Sequence, residues 1–476
     1  MTTLTPTSSA TDPTGPTGTL ATWLAATTLD DVPGHVRDRA AHLLLDAVAC
    51  ALVGARLPVS ERAVEAITAL EGPGAGMLIG WNGRTTSAAA AAMLNSSFVQ
   101  GFELDDYHPF APLHSGSLVL PAMLAAAPPA DITGDRFLLG AVLGFETGPR
   151  VGLALHGSEM LTRGWHSGPV FGTHAAAVAA GAVLGLDAVG YEDALGIAAT
   201  QSGGLMSAQF ESMVKRMQHG FAARNGLIAA ALAAGGYVGI KRVFEREYGG
   251  YLAVFGEGHE PDPTQIGDEL GRRWETERIA VKAYAAMGGL HAGIDAARAL
   301  RADLDPERVE RIEISCGEAA YHHGGWRAER PLETIGAQMN LAYAVAVALL
   351  DGDALLAQFT EARIASDDVW RLIDRTETRH DPGIDELGPT EKLTTRVRLT
   401  LTGGQSREHT VRHPRGTGNR PLSNEDVVAK YRTLTAPLIG TARRHALEAA
   451  VLGLAEQSDL TELASLLTPA VRPALG

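Results

Sequence analysis

From residue 20 to residue 256 the apolar residues recur at helical spacing, and alanine dominates the longest of these stretches. Segments 36–53, 63–70, 87–93, 137–143, 174–184 and 227–238 each set apolar side chains three and four apart, the pattern of a buried helix face. Gly72-Pro73-Gly74, Pro128-Pro129 and Gly235-Gly236 punctuate them as turns. Aromatic residues make up only 5% of the chain and glycine reaches 54, so such a core is built from small side chains and closely approaching backbones. Helices of this kind satisfy themselves by packing on one another, and a compact all-α domain is expected. At 476 residues, two or three domains are expected; 45% hydrophobic and 20% charged residues describe a folded chain with a sizeable core.

The pattern changes near residue 278. Segment 309–316 alternates as a strand does, with Val309, Arg311, Glu313 and Ser315 on one face and Ile312 and Ile314 on the other. Segment 395–401 alternates through Val397, Leu399 and Leu401, Gly403-Gly404 follows, and 409–411 reads as the return strand of a hairpin. A helix is expected over 335–350, and the helical pattern resumes after Asn424. The fold class is therefore mainly α. A disordered lead-in rich in Thr, Ser, Pro and Gly occupies 1–19. A helical domain spans 20–277, a smaller α+β domain 278–417, and a C-terminal helical part 418–476 returns to the first domain.

Forty Lys plus Arg against 55 Asp plus Glu leave a formal charge of −15, which argues against nucleic acid or an anionic membrane as partner. The longest apolar runs, 175–186 and 227–234, are short for a bilayer span. Two cysteines, Cys50 and Cys316, form neither a disulfide framework nor a zinc spacing, and a reducing cytoplasm is the simplest location. Only five of the 40 cations are lysine: Lys215, Lys241, Lys282, Lys392 and Lys430. Where Arg is the default cation, a Lys marks places that want a compact, titratable ammonium.

Four constellations could carry chemistry. Glu103, Asp105, Asp106 and His108, with His114 and Ser115 following, read as a metal site, as solvated acids of a Pro-kinked connection, or as acid/base machinery presenting His114 at a helix end. His166, between Trp165 and small residues, leads into an Ala-rich helix whose N-terminal N–H groups favour anions; a structural His is an equal reading. Lys215 and His219 share a face if helical, with Gln218 beside them and Arg224 beyond, a cationic cluster in an acidic chain. Lys282 sits in an apolar run, followed by Tyr284 and His291; burial would suit it to acid/base work, and snorkelling is the plain alternative. The chain has no Gly-x-Ser-x-Gly elbow or Walker A loop, and nothing calls for a cofactor or a metal.

Several long motifs resemble one family. They are ELDDYH and APLHSGSLVLPA within 103–122, GWHSGPVFG at 164–172, EDALGIAATQSGGLMSAQ at 192–209, MVKRMQHGFAARNGL at 213–227, KAYAAMGGLHAG at 282–293, ERPLETIGAQMNLAYAVAVALLDG at 329–352 and KYRTL at 430–434. The chain resembles the MmgE/PrpD superfamily over nearly everything after the first twenty residues, and within it the fungal-type cis-aconitate decarboxylases. The resemblance implies a helical domain built from both chain ends and a smaller lid domain, with a cationic active site between them. It also implies no metal or organic cofactor and a homodimer. Carried over by motif, the catalytic positions are His114, His166, Lys215 and Lys282, and the substrate-binding ones Glu103, Tyr107 and Tyr343; His219, from the cationic cluster, joins the substrate-binding set. The expected substrate is a small polycarboxylate, with decarboxylation of cis-aconitate to itaconate the first expectation. A 2-methylcitrate-type dehydration or an iminodisuccinate epimerisation is the alternative. Animal decarboxylases carry Asp at Glu103, Thr at Tyr107 and His at Met287, so their substrate contacts do not transfer directly.

Overall fold

The computed structural model describes residues 10–209, 213–388 and 390–475. The chain divides into two compact units. The larger holds the residues up to Gly101, Asp105–Ile279 and Asn424–Pro473; the smaller holds Phe102–Leu104, Ala280–Ser423 and the last residues. The sequence-based boundaries at 277/278 and 417/418 thus compare with divisions at 279/280 and 423/424. The assignment of 102–104 to the smaller unit had no counterpart in the sequence pattern.

The larger unit is helical. The helices that matter below are α1 (Gly34–Gly54), α2 (Ala88–Val99), α3 (Gly116–Ala126), α4 (Gly134–Ala154), α5 (Ser167–Leu184), α6 (Ala188–Ala199) and α7 (Val214–Ala234). At the centre α5 packs against α4 and α7, and α7 against α2. The small side chains are what allow this. A Cβ on Gly226 of α7 would lie 2.5 Å from the Ala176 Cβ and 2.6 Å from the Thr173 carbonyl oxygen of α5, so the two backbones approach as only glycine permits. Helix α5 is long and apolar enough to cross a membrane by composition, yet 94% of that window is buried in the protein, as expected of a core helix. Of the lead-in expected over 1–19, residues 1–9 lie outside the described residues. The rest is structured: a helix spans Pro16–Ala26, and Thr11 and Thr17 hydrogen-bond to Glu192 and Glu245. The Thr- and Pro-rich composition that reads as disorder supplies helix-start residues and hydroxyl donors instead.

The last turn of this unit before Ala280 is held by a buried polar network. Glu146 of α4 accepts hydrogen bonds from the Glu275 N–H (3.0 Å), the Thr276 N–H (2.8 Å) and the Thr276 hydroxyl (2.7 Å). Glu275 Oε2 lies 3.0 Å from His108 Nε2, and His108 Nδ1 accepts from the Ala111 N–H, so His108 is the neutral tautomer that donates through Nε2. Burial lowers the His108 pKa, consistent with that tautomer. Burial alone would raise Glu275. The His108 hydrogen bond and the charges of Arg278 and Arg273 outweigh it and bring the carboxyl down to about 2. A depressed carboxylate stabilises the fold fully above the ordinary glutamate range, and that stability is lost as pH falls through about 2. Between pH 5 and pH 3 the wild-type melting temperature is therefore expected to fall more steeply than that of Glu275→Gln. Parallel slopes in calorimetry would refute this.

The smaller unit is α+β. Its sheet has four strands, β1 (Val309–Cys316), β2 (Thr376–His380), β3 (Thr395–Leu401) and β4 (Ser406–Val411), in the order β2-β1-β3-β4. Strand β1 runs parallel to β2 and antiparallel to β3, and β3 to β4 is the expected hairpin. Two details differ from the sequence pattern. The register shifts between Val309 and Arg311, and this bulge returns Val309 to the buried side with Ile312 and Ile314. The helix expected over 335–350 is broken in two, Thr334–Gln338 and α9 (Leu341–Asp351), because the Asn340 side chain caps the second by accepting the Tyr343 N–H. Helix α8 (His291–Leu300) packs on α9. The chain returns to the larger unit with α10 (Asn424–Thr435), which lies against α1.

Candidate active site

In the helical unit three imidazoles come together. His219 of α7 is fully buried, and its ring centroid lies 5.2 Å from that of His114 and 5.2 Å from that of His166, edge to face in both cases. Three local devices build this group. His114 immediately precedes Ser115, where α3 begins, so the approach loop to that helix presents it. His166 is the N-cap residue of α5; its N–H donates to the Gly204 carbonyl, and Gln218 of α7 clamps the same loop through both the N–H and C=O of Leu205. Gly168 makes room, since a Cβ there would lie 2.3 Å from His219 Nε2. The glycine of the GWHSG motif is thus a matter of space for a neighbouring ring.

His114 is held at one nitrogen. Its Nδ1 is 2.7 Å from the Asp106 carbonyl oxygen and 3.1 Å from Asp105 Oδ2. A carbonyl and a carboxylate only accept, so Nδ1 carries the proton and Nε2 is the nitrogen left to exchange one. The Asp106 carboxylate accepts the Gly116 N–H at the start of α3 (2.8 Å), which ties the loop to the helix. Lys215 lies one turn before His219 on α7 and is buried, as is Gln218, so the expected shared face is present and turned inward. Tyr107 follows Asp106 directly; burial raises its pKa, and its hydroxyl has no hydrogen-bond partner among the described residues.

The smaller unit holds Glu103, Lys282 and Tyr343. Lys282 Nζ donates to Glu103 Oε2 at 2.8 Å, and both side chains are almost wholly buried. Glu103 holds φ at +55°, a left-handed conformation uncommon for a residue with a side chain, and strain of this kind concentrates at functional positions. Its neighbour Phe102 is fixed by Gln338, whose amide donates to the Phe102 and Ala285 carbonyls. Burial, with the Lys282 charge added, pushes the His291 imidazole down to about 4, so His291 is a neutral companion. Tyr343 is buried in α9 and donates its hydroxyl to the Gln358 carbonyl, an engagement within the fold. Among the described residues no three His, Cys, Asp or Glu side chains are grouped to hold a metal ion.

Residues 18–264 match the MmgE/PrpD N-terminal domain and residues 284–456 the MmgE/PrpD C-terminal domain. The chain belongs to the MmgE/PrpD family. Its similarity to proteins of this family runs nearly end to end. It is 44% identical over 472 residues to the cis-aconitate decarboxylase-like protein oryM of Aspergillus oryzae, covering 95% of this chain and 97% of that one. It is 42% identical over 482 residues to the cis-aconitate decarboxylase of Aspergillus terreus, 97% of each. The human cis-aconitate decarboxylase is 27% identical over 393 residues, 79% of each. Of the expected site positions, the structure brings His114, His166 and His219 into contact and sets Lys215 on the same helix as His219. It pairs Glu103 with Lys282 and places Tyr343 against Gln358. The sequence pattern missed roles for Asp105, Gln218 and Gln338. Asp105 was visible only as one acid in a possible metal cluster.

Proposed function

We propose that this chain is a cofactor-independent carboxy-lyase that converts cis-aconitate to itaconate and CO2. The observation that carries the reading is near full-length similarity to Aspergillus proteins bearing that activity in their names, in a chain whose buried lysines and imidazoles suit the chemistry. cis-Aconitate is a trianion, and cations act on it far more strongly in a water-poor site than in bulk solvent. The C–C bond to the carboxylate of the CH2 arm breaks. CO2 leaves, and the electron pair stays as an allylic carbanion delocalised across the alkene towards a remaining carboxylate. Lys215 and Lys282 supply the positive charge that stabilises it. His114, protonated at Nε2, gives its proton to the former alkene CH, which yields itaconate. His166 orients a carboxylate, and His219 belongs to the substrate-binding set.

The test is incubation of the purified protein with cis-aconitate, followed by NMR of the products and CO2 measurement. Itaconate with one CO2 per turnover supports the reading. Hydration, dehydration or stereochemical exchange of related acids without itaconate would move the chain to the dehydratase or epimerase reaction of the same family.

The working form is a homodimer. Helix α7 turns Lys215, Gln218 and His219 inward, while Val214, Met217, Phe221, Ile228 and Leu232 form a stripe on the other side, exposed or half-exposed. Exposed Tyr237 and Val238 continue it. Exposed apolar residues gathered along one helix mark an interaction surface, and a second copy is the occupant that the family resemblance implies. Light scattering at micromolar concentration should give twice the chain mass; a monomer would refute this part.

A further inference from the structure

The loop that carries His114 rests on a buried set of acids larger than binding a ring requires. Asp105 Oδ2 stands 3.1 Å from His114 Nδ1, and the Asp106 carbonyl takes the hydrogen bond from the same nitrogen. Beneath them Asp46 of α1 pairs with Lys430 of α10, Oδ1 to Nζ, at 2.7 Å. Arg39 of α1 is the other cation whose charge reaches Asp46 and Asp106. All of these are buried. Asp46, Asp105 and Asp106 thus share a buried neighbourhood with Lys430 and Arg39. Burial, then the charges of Asp105 and Asp46, raise the Asp106 pKa well above the ordinary carboxylate range. The His219 ring, which also touches His166, packs against His114.

We propose that Asp105 is the positioning residue for His114: its carboxylate fixes the proton on Nδ1, aims Nε2, and stabilises the imidazolium, while the Lys430–Asp46 pair holds the Asp105–Asp106 loop from below. This rests on His114 being the proton donor. It assigns a job to two features otherwise unexplained, Asp46 in the apolar stretch of α1 and a third lysine of the five. Both elements holding the pair, α1 and α10, pack on each other, so the C-terminal helical part of the chain supports the loop directly.

The experiment uses the full chain in three forms, wild type, Asp105→Asn and Asp105→Glu, each also in a His114→Ala background. The 15N ring shifts of His114 are expected to report the Nδ1–H tautomer in wild type and in Asp105→Glu, and a larger Nε2–H share in Asp105→Asn. With cis-aconitate, Asp105→Asn should lower kcat about tenfold to a hundredfold with KM within about twofold. In the His114→Ala background the same change should cost nothing further. An unchanged tautomer, or an equal loss of kcat in both backgrounds, would overturn the proposal. The tautomer readout needs no turnover, so inactivity of the wild type on cis-aconitate would refute the proposed reaction and leave the positioning test standing.

Discussion

Lys282→Met is expected to cut turnover of cis-aconitate by about a thousandfold and to lower the melting temperature sharply as well. The two effects have separate causes. Removing the ammonium takes the Lys282 ion pair from a buried Glu103 carboxylate, on a backbone already in the left-handed region. Breaking a buried pair from one side costs about 3–5 kcal/mol, because the remaining charge keeps its desolvation penalty. Independently, the allylic carbanion loses one of its stabilising cations, and one such electrostatic contact is worth about 3–4 kcal/mol in the transition state. A second substitution separates them. Glu103→Gln in the Lys282→Met chain removes the stranded charge, so thermal stability should recover most of the way while itaconate formation stays about a thousandfold down. Lys282→Arg should not rescue either quantity, since a planar guanidinium does not fit a buried point-charge site. Recovery of activity together with stability in the double variant would show that Lys282 is structural.

The helical unit is legible in the sequence because burial of one face imposes a period of 3.6. The lengths are less so. Helix α4 extends from Gly134 to Ala154 where only 137–143 shows contrast, because it is buried almost all round and a helix without a polar face has no visible period. Strand β2 was invisible for the opposite reason. It is an edge strand whose residues, Thr376 to His380, are half-exposed or exposed, so no apolar alternation marks it. The bulge that returns Val309 to the core adds a residue that no alternation rule anticipates.

The site divides in the same way. The short-range parts are readable: Lys215 and His219 lie one turn apart, and His166 stands before an Ala-rich helix. The long-range parts are not. Glu103 and Lys282 are 179 positions apart, and Asp46 and Lys430 lie near opposite ends of the chain, so no spacing rule joins them. What sequence offers is an isolated acid in an apolar stretch, which must find a cation because burying it alone is prohibitive. The scarcity of lysine then narrows the choice from 40 cations to five. Asp105 lay within reach of His114 in sequence, but its acceptor role depends on how the Pro-rich loop folds back.

His114→Ala is expected to lower kcat by about a thousandfold, within the range for loss of a general acid, with KM changed by less than about threefold. The argument is geometric. Nδ1 is committed to the Asp106 carbonyl, with the Asp105 carboxylate 3.1 Å away, so Nε2 is the one nitrogen of this ring that can deliver a proton, and a methyl group offers none. His166→Ala should behave differently: a ring that orients a carboxylate contributes to binding before and during reaction, so its loss should raise KM more than it lowers kcat. Running both variants in D2O sharpens the distinction. Itaconate formed by either should carry one deuterium on the protonated carbon, but the solvent isotope effect on kcat should change only when the donor itself is replaced. If His114→Ala turns over at near wild-type rate while His166→Ala collapses in kcat, the proton comes from another imidazole of the three, and the Asp105 contact would then serve the fold alone.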